Sequence, residues 1–186
     1  MPVLKRLAAV IICIGLAVGL AWFGIGLYYR TAYPAKYQDE VLTYSKEHGL
    51  DPSLTFAVIY TESRFRPAAV SSIGARGLMQ ITNDTFEWAK WRMKDDNTTY
   101  EDLFDPTVNI KYGTFILSLL KEEFKSDEVA LAAYHAGWGN VKKWLSDLSY
   151  SSDGEKIDNI PFRDTAWYVP QVLKVQEIYR RTYRLH

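Results

Sequence analysis

The chain has 186 residues, one domain of ordinary size plus an appendage, and its 22 basic and 22 acidic side chains cancel to a formal net charge of zero. That balance argues against a nucleic-acid-binding surface and against an acidic disordered tail. The single cysteine, Cys13, excludes an internal disulfide, so packing alone must stabilise the fold.

Leu7 to Tyr29 form one apolar run without a charged side chain. Roughly 20 apolar residues cross a bilayer as a helix, and this run reaches that length. Lys5 and Arg6 precede it, while Trp22, Tyr28 and Tyr29 suit the far interface. Residues 1–29 are therefore expected to be an N-terminal membrane anchor, placing the rest of the chain outside the cytoplasm as a single-pass extracytoplasmic domain. A cleaved signal peptide is the rival reading, although its apolar region is usually only ~7–15 residues long. A lipoprotein modified at Cys13 is a third; the bulky Ile12 before it is a poor fit. Residues 30–36, with Pro34, read as a short linker, and 37–186 as the functional domain.

The pattern within that domain is helical. Tyr37 to His48 is amphipathic and stops at Gly49. Asp51 caps a helix with Pro52 at its first position, running to about Arg64. A loop over 67–77 precedes a helix capped by Asn83 or Asp84 and ending near Met93. Lys94 to Asp102 is polar. Asp105-Pro106 opens a long helix to about Phe124, with Val108, Tyr112, Phe115, Ile116, Leu119 and Leu120 spaced near the helical period. Ser126 or Asp127 caps the next helix, to Ala136. Gly137-Trp138-Gly139 reads as a turn before a helix from Asn140 to about Asp147. Residues 149–159 read as a loop, and a final helix spans about Asp164 to Tyr183. No segment alternates with the two-residue period of a strand, so the domain is expected to be all-α.

Glu62 stands out within this scheme. It shares a helix face with Leu54 and Val58 and ends an apolar stripe. Desolvation there favours the protonated acid and raises its pKa, which suits a group that must protonate a glycosidic oxygen. The composition, with 13 Tyr and 6 Trp, fits a groove that stacks on sugars, although for any single ring an aromatic core is the more usual reading.

Four blocks surround that acid in order: Glu62-Ser63; Ser71-x-x-Gly74-Ala75-x-Gly77-Leu78-Met79-Gln80; Ala133-Tyr134-x-Ala136-Gly137; and Tyr168-Val169. Together they resemble the soluble lytic transglycosylase family, enzymes with a goose-type-lysozyme-like fold that cleave the glycan strands of bacterial peptidoglycan. The resemblance covers about residues 40–182. It implies a lysozyme-like helical domain with Glu62 as the single catalytic acid and later base. It further implies substrate contacts from Ser63, Ser71, Met79, Gln80, Tyr134, His135 and Tyr168. Met79 would lie beneath a sugar ring, Tyr134 would line the cleft, and Tyr168 would place its hydroxyl near the acetamido group or Glu62. Ser63 reads equally well as a helix terminator, and Met79 as a core residue.

Two positions depart from the family pattern. His135 stands where the family carries Asn, adding a side chain that titrates near neutrality. Asp164 stands where the family carries Glu, and it also reads as the cap of the last helix. The implied reaction is non-hydrolytic cleavage between N-acetylmuramic acid and N-acetylglucosamine, leaving a 1,6-anhydro end. Its partners are the peptidoglycan strands, the membrane through the N-terminal helix, and cell-wall machinery proteins that the sequence does not name. No cofactor and no metal are implied: His48, His135 and His186 form no ligand motif. A lysozyme-like hydrolase, which would need Asp158 or Asp164 to hold water, and a catalytically silent glycan-binding scaffold are the alternatives.

Overall fold

The structure, a computed structural model, describes residues 2–185. His186 and the side chains before Ile11, including Lys5 and Arg6, lie outside the described residues. The chain divides into two units, Met1–Ala35 and Lys36–His186.

The first unit is a single helix, α1 (Pro2–Ala32), which continues through the first three residues of the expected linker. Its segment Ile11–Ala32 is 22 residues long and apolar up to Arg30, enough to cross a membrane by length and composition. Leu20, Trp22 and Phe23 are all exposed.

The second unit is built from α2 (Gln38–Glu47), α3 (Pro52–Ser63), α4 (Asn83–Met93), a 3-10 turn at Tyr100–Phe104, α5 (Pro106–Phe124), α6 (Asp127–Ala136), α7 (Trp138–Leu145) and α8 (Arg163–Tyr183). No strand occurs among the described residues; two isolated bridges, Val70 to Arg76 and Arg76 to Ile81, pin the loop before α4. The fold is all-α.

The start of α3 follows from its sequence. The Asp51 carboxylate accepts from the Ser53 backbone N–H at 2.8 Å and the Ser53 hydroxyl at 2.6 Å, and Pro52 has no donor to leave unsatisfied. The Arg180 guanidinium of α8 donates to the other Asp51 oxygen at 2.6 Å. The stripe expected on α3 is in fact an entire surface: every residue from Ser53 to Tyr60 is buried. Leu54, Phe56, Val58 and Ile59 are completely enclosed, each worth about 2 kcal/mol over exposure. A helix apolar on all sides belongs in the middle of a core. Here α3 packs most extensively on α8, with Phe56 stacked on Tyr179 at 5.3 Å between ring centroids. Around this pair, α6 joins α8, α5 joins α6, and α2 lies against α5 and α3.

Several boundaries differ from expectation. Thr82 caps α4, accepting from the Thr85 N–H, whereas Asn83 and Asp84 lie inside the helix. The polar stretch expected after Lys94 ends in the 3-10 turn, whose Thr99 and Asp102 cap each other. Helix α7 begins at Trp138, so only Gly137, with φ of 90°, breaks the chain from α6. Phe162 is the N-cap of α8, which leaves Asp164 within the first turn. Pro170 sits inside α8 and offers no N–H to the helix.

Candidate active site

Glu62 is the next-to-last residue of α3. Burial pushes its carboxyl up to about 7 from 4.5, against an opposing interaction with the Tyr168 hydroxyl. A low-dielectric setting disfavours the carboxylate, so the group holds a proton near neutrality and can both release and recover it. Thr61 beside it has an enclosed hydroxyl without a partner.

Tyr168 reaches the acid from α8 and is 2% exposed. No group meets its buried hydroxyl in ordinary hydrogen-bond geometry. The Glu62 carboxyl is the group it faces, because each perturbs the titration of the other. Burial, and then the Glu62 charge, hold the Tyr168 phenol well above its usual range. Tyr134 of α6 is the third member: burial first and Glu62 second raise its phenol as well. Its hydroxyl donates to the Met79 carbonyl at 2.8 Å. Glu62, Tyr134 and Tyr168 are thus brought together from three helices.

The loop from Val70 to Ile81 forms the adjoining wall. Ser71 closes its first turn, its hydroxyl accepting from the Ala75 N–H at 3.0 Å. Gly77 has φ of 75°, and a Cβ there would sit 2.0 Å from the Asn109 amide nitrogen and 2.3 Å from the Leu103 carbonyl oxygen, so only glycine fits. Gln80 adopts a left-handed conformation, with φ of 50°, and its amide donates to the Ala69 and Gly77 carbonyls at 3.2 and 2.9 Å.

Two anchors hold this loop. The fully buried Asn109 of α5 accepts from the Met79 N–H at 2.8 Å and donates to the Leu103 and Arg76 carbonyls at 2.8 and 3.1 Å. The Tyr100 hydroxyl lies 2.7 Å from the Gly74 carbonyl oxygen and 3.1 Å from that of Ile81. Arg76 rests over the Tyr100 ring at 4.1 Å while pairing with Glu101 at 2.7 Å.

Besides the Ser71 hydroxyl and the Gln80 amide nitrogen, three more groups expected at the substrate have internal roles in this structure. Met79 is completely buried against Gly113, where an added Cβ would come within 2.2 Å of its sulfur, so its side chain supports the loop from below. Ser63 is 1% exposed and donates to the Ile59 carbonyl of its own helix. The Tyr134 hydroxyl is committed to Met79, leaving the ring to face the cleft. His135 is exposed at the end of α6, with Nδ1 2.9 Å from the Thr165 hydroxyl.

Beyond Gln80 and Tyr134 opens a groove of about 550 Å³ lined by Thr82, Asp84, Trp88, Ile116, Leu120 and Trp138, among others. Trp88 and Trp138 are 43% and 53% exposed. Aromatic faces with a few hydroxyls and one carboxylate form a surface on which sugar rings can stack. The sequence reading missed Asn109, Tyr100, Trp88 and Trp138. The tryptophan count signalled stacking in general, but Asn109 looked like any polar residue on a helix.

The sequence profile of the transglycosylase SLT domain matches residues 40–157, well over half of the chain. The chain belongs to the transglycosylase SLT family. This SLT domain is 32% identical over 151 residues to the soluble lytic murein transglycosylase of Salmonella typhimurium, an alignment covering 80% of the chain and 23% of that protein. It is 30% identical over 168 residues to the membrane-bound lytic murein transglycosylase C of Pectobacterium atrosepticum, covering 78% of the chain and 47% of that protein. Among solved structures, the 70 kDa soluble lytic transglycosylase of Escherichia coli superposes with a TM-score of 0.74 at 28% identity, over 83% of this chain and 26% of that one. The SLT chain described here spans less than half the length of each of these relatives.

Proposed function

We propose that this protein is a membrane-anchored lytic transglycosylase that cleaves the bond between N-acetylmuramic acid and N-acetylglucosamine in peptidoglycan without consuming water. The carrying observation is Glu62: a carboxyl raised by burial to about 7, facing a buried phenol, in a domain of this family.

The chemistry needs one acid that changes role. Protonated Glu62 gives its proton to the glycosidic oxygen as that bond breaks, while the 2-acetamido carbonyl of the muramic acid assists departure from the sugar's own side. The resulting Glu62 carboxylate takes the proton of the 6-hydroxyl, whose oxygen attacks C1 and closes the 1,6-anhydro ring. The acid returns to its starting state and no water is incorporated. The causes of the Glu62 shift are burial and Tyr168, with no like-charged carboxylate among them. That favours a single-acid route over the paired carboxylates of most glycosidases.

Tyr168, with its unpartnered hydroxyl, is assigned to orient the acetamido group and the acid. The Tyr134 ring and the Ser71 to Gln80 loop form the cleft wall, and Trp88 and Trp138 extend it along the strand. The apolar α1 is assigned as a single membrane span with the catalytic unit on the extracytoplasmic side, next to the wall. A membrane-bound relative and an apolar helix long enough to span support the membrane attachment in this reading.

The test is mass spectrometry of purified peptidoglycan after incubation with the full chain in detergent, beside Glu62→Gln. Ends bearing 1,6-anhydromuramic acid, absent from the variant, are the expected result. Reducing ends would replace the proposal with a hydrolase, and glycan bound but uncut by the native chain would replace it with a scaffold.

A further inference from the structure

His135 occupies a position that joins the acid's partner to the rest of the site. It lies in the last turn of α6, and its Nδ1 is 2.9 Å from the hydroxyl of Thr165, itself 1% exposed in the first turn of α8. The same imidazole lies over the Tyr168 ring, with centroids 4.4 Å apart and planes tilted by 32°. Thr165 and Tyr168 are three residues apart on one helix and therefore share a face, so one side chain engages both. The Tyr168 hydroxyl is enclosed and meets only the Glu62 carboxyl, in a geometry short of an ordinary hydrogen bond. Its placement toward Glu62 depends on what holds the ring.

We propose that His135 is a positioning residue: anchored by Thr165, its ring clamps that of Tyr168 and so holds the phenol against the catalytic acid. The inference rests on the function proposed above for Glu62. An asparagine, as the family pattern carries, can bond Thr165 but has no ring to lay on Tyr168.

The charges around the imidazole suit a neutral clamp. Although His135 is exposed as a residue, the part of its ring packed on Tyr168 and Thr165 is desolvated, which lowers its pKa, and the Asp164 carboxylate on α8 opposes that effect. Glu62 is not among the groups that perturb His135. A neutral imidazole lies on the phenol without bringing a charge into the contact, whereas an imidazolium would carry a charge that must be solvated at that packed face. The clamp therefore works best above the pH at which His135 protonates.

The experiment uses the full chain in detergent and three variants, His135→Ala, His135→Asn and Thr165→Val. Two readouts are taken: the kinetics of glycan cleavage from pH 5 to 8, and the Glu62 titration followed by NMR of carbon-13-labelled glutamate side chains. With the clamp lost, His135→Ala and Thr165→Val should lower kcat by about tenfold or more, with KM held within about twofold. In both, the Glu62 midpoint should rise, because a displaced phenol no longer opposes the effect of burial. His135→Asn should fall between them and the native chain. A raised KM with kcat intact would make His135 a substrate contact and overturn the proposal. So would a Glu62 midpoint that does not move in either variant, even in a preparation that cuts no glycan. Absence of cleavage by the native chain would instead count against the proposed function, leaving the titration to decide the clamp.

Discussion

Replacing Glu62 by glutamine removes a charge that the fold resists holding. Between 4.5 and about 7 the native state keeps a proton on Glu62 that the unfolded chain has released. Linkage then makes stability fall as pH rises through that window and level off above it. The displacement amounts to about 3 kcal/mol at the conversion for each pKa unit. Glutamine has nearly the same shape and cannot ionise. Glu62→Gln should therefore match the native chain at pH 4 and exceed its stability at pH 8 by up to about 3 kcal/mol, or roughly 6–12 °C in Tm for a domain of this size. Thermal melts of both proteins in detergent, followed by circular dichroism at the two pH values, measure this directly. The same variant should lose cleavage by a factor on the order of 10² to 10⁴, the usual contribution of a general acid–base. In the native enzyme, activity should decline on the alkaline side with a midpoint near 7. A stability difference between the two proteins that is the same at pH 4 and pH 8 would refute the argument, because it would mean that the carboxyl is not desolvated.

Tyr168→Phe removes a hydroxyl that makes no hydrogen bond of ordinary geometry and meets a Glu62 carboxyl that is itself protonated near neutrality, so folding should change by less than about 1 kcal/mol. Cleavage should fall about 10²-fold and its alkaline limb should move upward, since Tyr168 lowers the Glu62 pKa; kinetics across pH with a parallel urea melt separate the two effects. Asn109→Leu strips three backbone groups of their partners and should cost about 3 kcal/mol or more, read as a lower urea midpoint. Trp88→Ala and Trp138→Ala should raise KM for glycan strands several-fold, on the order of 1 kcal/mol per ring, with kcat nearly unchanged, as steady-state kinetics on long strands would show.

The helices were legible in the sequence where a short polar residue stands before a proline or an apolar period. Asp51-Pro52 and Asp105-Pro106 both cap as expected, with the carboxylate receiving the first free N–H groups. At Thr82-Asn83-Asp84 three residues can each serve as cap, and the sequence offered no way to choose among them. Tyr100–Phe104 read as a polar stretch because what orders it comes from afar: the Tyr100 hydroxyl bonds carbonyls 26 and 19 residues away. Glu62 was legible because a carboxyl in an apolar helix is costly without a purpose. Met79 and the Tyr134 hydroxyl were not legible in the same way. Their roles depend on each other across 55 residues and on Gly113, which no local pattern records.

The enclosure of α3 bears on which parts of the molecule open together. Amide exchange is slowest in segments with no solvent-facing side, because they are released only when the whole core comes apart. From Ser53 to Tyr60 this helix has no such side, whereas the outer part of the loop, at Val70, Ser72 and Ile73, and the groove tryptophans are exposed. Glu62, the proposed proton donor, therefore follows directly on a segment expected to let go last. The periphery can breathe, admit a polymer and re-form while the donor keeps its place, and breathing of the periphery changes what the cleft can hold before it changes what the cleft can do.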